Sequence, residues 1–201
     1  MALRDGSPEL IAQAALGVAG VPGGDADLDP ATRAVLEEAL AVLPDTDSAL
    51  RARVLTLLGH FGWEPVAGEQ SEDDGGRLRR AGIDMARRVA DPHALADVLW
   101  QWHLWSSHGR ETLPERLAVA DELVELANAR GDKEGVVLAR QWRIADRFEA
   151  GDLPGARTEL AVATREADEL RLPFLQWNVT YAQATLALTE GRLAEVERLA
   201  H

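Results

Sequence analysis

Six of the ten aromatic side chains are tryptophan, and they fall at spacings that suggest a recognition surface. Trp102 and Trp105 are i, i+3 neighbours on one face of a predicted helix, with Trp100 pointing elsewhere. Trp142 and Trp177 lie on two later predicted helices. Indole rings lining a groove would hold an apolar or sugar-like ligand, or a peptide; the same rings also suit an inter-helix core. Arg140, Arg143 and Arg147 follow i, i+3, i+7 spacing. Such a stripe can meet a carboxylate or phosphate, or pair with the nearby Asp146 and Glu149. Arg77, Arg79, Arg80, Arg87 and Arg88 follow the acidic stretch 69–74, and intramolecular pairing accounts for them.

Catalytic signals are sparse. His93 and Asp97 share a helix face, but no His-Glu-x-x-His pattern or third ligand accompanies them, so no metal site is expected. Ser106 and Ser107 stand beside His108 without a Gly-x-Ser-x-Gly elbow. An enzyme built on His93, His103 and His108 is the weakest reading. Cysteine is absent, which excludes thiol catalysis and disulfides. No cofactor is expected. Asn178-Val179-Thr180 matches a glycosylation acceptor by composition alone.

Charge narrows the partners. Lys+Arg is 21 and Asp+Glu is 34 over 201 residues, a formal net charge of -13. A phosphate backbone repels such a chain, so nucleic acid is excluded as a direct partner. The start of the sequence lacks a signal-peptide core, and the uncharged stretch 11–24 is too short and Gly/Pro-rich to span a bilayer. The expected location is the cytoplasm. Only Lys133 is lysine among the basic residues, a bias typical of GC-rich bacterial coding.

The elements that must position these side chains are helices. Ala, Leu, Arg and Glu dominate, apolar residues recur at i, i+3, i+4, i+7, and strand-like alternation is missing. Ser7-Pro8 opens a first helix running to Ala19, and Asp29-Pro30 opens a second that Pro44 ends. Asp47 or Ser48 caps a third, ending near Gly62, and 63–76 reads as a loop. A fourth helix spans 77–90, and Asp91-Pro92 opens a fifth that carries Trp102 and Trp105. After a loop at 106–112, Pro114 starts the sixth; Gly131-Asp132 and Gly151-Asp152 separate the sixth, seventh and eighth. Pro173 starts the ninth, and Gly191 turns into a tenth still running at His201.

Ten helices with short turns suggest an all-α solenoid of about five antiparallel helix pairs in one domain, 1–201. Internal repeats agree. The segment 150–156 (Ala-Gly-Asp-Leu-Pro-Gly-Ala) matches 190–196 (Glu-Gly-Arg-Leu-Ala-Glu-Val) at an offset of 40, and 44–50 resembles 90–95.

The glycine turns resemble the tetratricopeptide repeat. Gly151, Leu153 and Ala156, then Gly191, Leu193 and Val196, fall in the places of its turn glycine, following leucine and helix-crossing small residue. Ala184 matches its small residue before the turn, whereas Ile144 departs from it. The run from Asp47 through Leu55, and from Ala139 through Gly151 to Leu193, is similar to the helical arms of large bacterial ATPase regulators. These include LuxR-type transcriptional activators and cyclase-linked signalling ATPases, common in actinobacteria. No Gly-rich loop ending in Lys-Ser or Lys-Thr is present, and no DNA-binding helix pair, so those activities do not carry over. The resemblance implies a non-enzymatic arm for signal transduction or transcriptional regulation, a fragment of a larger regulator. Its concave face would bind a protein segment or small effector through Trp102, Trp105, Arg140, Arg143, Arg147 and Trp177. Exposed apolar ends of the array also predict self-association. The competing reading is a small-molecule protein whose tryptophans line a pocket.

Overall fold

A computed structural model describes residues 7–19, 30–60, 74–105 and 110–200. Among these residues the chain is all-helical, with ten helices and no strand. They are α1 (Pro8–Ala19), α2 (Pro30–Val42), α3 (Ala49–His60), α4 (Asp74–Val89), α5 (Pro92–Trp105), α6 (Leu113–Arg130), α7 (Lys133–Ala150), α8 (Leu153–Leu170), α9 (Pro173–Thr189) and α10 (Leu193–Leu199). Two compact units result, Met1–Trp105 and Ser106–His201. No described helix is long and apolar enough to cross a membrane.

In the first unit, α1, α2 and α3 pack around Ile11, Ala15, Leu36, Ala39, Val54 and Leu58. Ser7 caps α1 through its hydroxyl, 3.3 Å from the Leu10 amide. Ser48 does the same for α3, 3.2 Å from the Arg51 amide. Asp47, the alternative cap, instead holds Arg88 with two hydrogen bonds of 2.6 and 3.0 Å.

The tightest contact of this unit is α3 on α4, and glycine makes it. A Cβ on Gly82 would fall on the Thr56 hydroxyl and 2.7 Å from the Ala52 carbonyl oxygen. A Cβ on Gly59 would lie 2.5 Å from the Gly75 carbonyl oxygen. Backbone approaches backbone there, so no side chain fits between. This contact corrects the sequence expectation that α4 begins at Arg77. It begins at Asp74, because Gly75 is buried against Gly59 despite its poor helix propensity.

The second unit has a regular metre. Gly131, Gly151, Arg171 and Gly191 recur every 20 residues, and all four take left-handed φ, at 67°, 76°, 54° and 73°. At 131, 151 and 191 a paired backbone hydrogen bond closes the preceding helix, with the Asp132, Asp152 and Arg192 amides reaching back to the Ala127, Arg147 and Ala187 carbonyls. Arg171 makes the simpler single closure onto the Ala167 carbonyl. Asp132 and Asp152 then cap the next helices, accepting from the Gly135 and Gly155 amides at 2.8 and 2.9 Å. The 40-residue sequence repeat is thus two helix-plus-turn steps.

Helix α7 packs on α6, α8 and α9, and α9 on α8 and α10. Val137, Ile144, Leu160, Ala163, Leu175, Val179 and Leu186 form this core. Beyond Leu199, Ala200 keeps helical backbone angles and donates its amide to the Val196 carbonyl at 3.1 Å; His201, where the tenth helix was expected to be still running, lies outside the described residues.

Candidate functional site

The three arginines of α7 are committed inside their own unit. Arg140 donates through Nε and Nη2 to Glu166 at 2.8 and 3.1 Å, and through Nη1 to Glu159. Arg143 donates to Asp121 at 2.8 Å and to the same Glu159 oxygen. Arg147 donates to Asp152, the carboxylate that caps α8. Burial opposes the charge on Arg140 and on Arg143, yet the hydrogen bonds to their carboxylates win and hold both above the usual guanidinium value. Burial likewise disfavours ionised Glu159, and hydrogen bonds from Arg143 and Arg140 outweigh it, holding its carboxyl below the usual range. This network ties α6, α7 and α8 together.

Asp146 and Glu149, the sequence neighbours expected to pair with that stripe, turn elsewhere. Both accept from Arg116 of α6, at 2.6 and 2.5 Å, with the Arg116 and Asp146 side chains 1% and 0% exposed. Sequence reasoning missed Arg116, since a separation of 30 positions leaves no local signal.

The tryptophans divide between the two units. Trp102 is buried in the first, and Trp100 rather than Trp102 lines its pocket of about 230 Å3 with Arg53, Thr56, Asp97 and Gln101. Arg53 is bonded there to Asp97 at 2.7 Å, so the Asp97 carboxylate expected beside His93 already holds a cation. His103 is buried, and no described cluster of three His, Asp or Glu side chains forms a metal site. The Trp105 side chain and Ser106, Ser107 and His108 lie outside the described residues. In the second unit Trp142 is half-buried on α7.

Trp177 is different. It stands 61% exposed on α9 and stacks between Phe174 and Tyr181, with ring centroids 6.3 and 6.0 Å away and planes within about 20°. A search of protein-family models, curated proteins and solved structures finds no match. The geometry of the molecule itself therefore carries the functional reading.

Helix α9 has two apolar stripes. Leu175, Val179, Ala182 and Leu186 face the core, whereas Phe174, Trp177, Tyr181, Ala184 and Leu188 share the opposite side. Phe174, Tyr181 and Leu188 are 60%, 61% and 57% exposed. Sequence reasoning singled out Trp177 but not its neighbours. A count of the second 3-4-3-4 stripe along 174–188 would have found them. Asn178, the glycosylation-like asparagine, donates its side-chain amide to the Phe174 carbonyl at 2.9 Å.

Proposed function

We propose that this chain is a non-enzymatic interaction module, a TPR-like helical-repeat arm that engages a protein segment through α9. The observation that carries this reading is the stacked, solvent-facing Phe174–Trp177–Tyr181 row. A folded chain rarely leaves three large rings contiguous in water without a binding use for them. The 20-residue metre and the packing of α7 on α9 support the repeat-stack part of the reading. The further assignment, to a LuxR-type or cyclase-linked regulator of actinobacterial type, rests on the sequence resemblance alone.

The small-molecule alternative has one observation behind it, the pocket beside Trp100. Its volume of about 230 Å3 falls below the ~300–1,000 Å3 usual for ligand sites, and its arginine is already bonded to Asp97. The interaction reading is therefore preferred.

A photo-crosslinking amino acid in place of Trp177 tests it in cells of the source organism. The expected result is a discrete protein adduct at position 177 and none from the same group at Asp168, an exposed site on α8. Equal labelling at both positions, or none at 177, would overturn the reading.

A further inference from the structure

We infer that the occupant of the α9 face is a second copy of this chain, with the two α9 helices pairing antiparallel about a two-fold axis near Tyr181. This inference names the partner within the interaction reading above and rests on it.

Spacing comes first. Phe174, Trp177, Tyr181, Ala184 and Leu188 alternate three and four residues apart, the a/d pattern by which one helix interlocks with another. This seam is also uneven. Its first half holds the three rings, and its second half holds Ala184 and Leu188. A two-fold near the middle sets the ring-bearing half of each copy against the small half of the other. A self-complementary surface of this kind is what an isologous contact requires.

Charge selects the partner. More than a quarter of the chain is Asp, Glu, Lys or Arg, and the net charge is -13. Two copies therefore repel each other over most of their surface. Helix α9 carries no charged residue in 17. It is a surface through which the chain can meet itself without opposing like charges. A cationic partner would be drawn to the acidic surface and would gain nothing from a neutral helix.

Three polar side chains beside the seam already donate within their own helix. Asn178, Thr180 and Thr185 each donate to the carbonyl four residues back, at 2.9, 2.8 and 3.0 Å. Covering the face strands none of those donors, so the desolvation cost is low.

Area is sufficient. Aromatic side chains present about 150–250 Å2 each, so three rings at the observed exposure, with Leu188, offer roughly 400–550 Å2 per copy. Two copies bury about 800–1,100 Å2 from the seam alone, and flanking residues carry the contact past the ~1,000 Å2 of a specific interface.

Sedimentation velocity of the 201-residue chain across roughly 1–200 µM tests the assembly. We expect a species of twice 21.8 kDa that dissociates on dilution. The double variant Trp177→Glu, Tyr181→Glu should sediment as a monomer with unchanged far-ultraviolet circular dichroism, since both side chains lie outside the core. A wild-type monomer throughout, or a dimer that survives in the folded double variant, would refute the pairing. Orientation is tested without perturbing the fold. The chain has no cysteine, so Tyr181→Cys provides a single thiol near the axis and should crosslink on oxidation. Phe174→Cys alone should not, because antiparallel pairing holds the two thiols about 20 Å apart at 1.5 Å rise per residue. A mixture of Phe174→Cys and Leu188→Cys chains should crosslink. Efficient crosslinking of Phe174→Cys alone would overturn the antiparallel arrangement. If the chain is monomeric and a different protein is captured at position 177, self-pairing fails while the interaction reading stands.

Discussion

Arg116 and Asp146 form a buried ion pair, Nη1 to Oδ1 at 2.6 Å, that joins α6 to α7. Neither side chain reaches water. Removing Asp146 leaves the buried Arg116 guanidinium with Glu149 as its remaining carboxylate, so the cost is at most the ~3–5 kcal/mol of an uncompensated buried charge. Asp146→Ala should therefore lower unfolding free energy by up to that amount in urea titration. The double variant Arg116→Met, Asp146→Leu removes both fully buried charges, leaves the 28% exposed Glu149 to be solvated by water, and should recover most of it. A double variant as unstable as the single would refute the account.

The α3–α4 contact makes an opposite prediction for two glycines. Gly17 in α1 has open space around it, so Gly17→Ala should stabilise by about 0.5–1 kcal/mol through helix propensity. Gly82→Ala gains the same propensity but drives a methyl against the Ala52 carbonyl. Overpacking costs about 1–3 kcal/mol, and backbone cannot swing aside, so the net effect should be destabilising. Thermal midpoints of the two variants should move in opposite directions.

Arg171 sits at φ 54° where the sister turns have glycine. A side chain in this region is strained, so Arg171→Gly should raise stability by about 0.5–1 kcal/mol. Gly151→Ala should lower it by a similar amount. Urea midpoints report both, and a fall for Arg171→Gly would count against the strain.

Acid should loosen the second unit through Glu159. Its folded pKa is held below the unfolded value, despite burial, by Arg143 and Arg140. The folded form thus binds fewer protons between the two values. Its stability contribution is complete above the unfolded value, about 4.3, and is lost as pH falls through the folded one. Asp152, lowered by the Gly155 amide and then by Arg147, acts in the same direction. The thermal midpoint should fall between pH 5 and 3, and Glu159→Gln should flatten that fall while lowering the midpoint at pH 7. An unchanged acid profile in the variant would remove Glu159 from the account.

The all-α class and most helix boundaries were legible in the sequence because they depend on neighbours in the chain. Apolar spacing, Ser7 and Ser48 as caps, Pro at helix starts, and Gly131, Gly151 and Gly191 as left-handed turns are local physics. The start of α4 was not legible, because the burial of Gly75 depends on Gly59, a residue on another helix. The fates of the polar residues were not legible either. Whether Arg140 and Arg143 face solvent or Glu159, and whether Asp146 meets Arg147 or Arg116, turns on which helices become neighbours. The same holds for aromatics: Trp102 and Trp177 are identical in type, and burial separates them. Local sequence specifies which residues become helical and where the turns fall. Only tertiary packing decides which helix face is covered, and thus which side chains remain available to a partner.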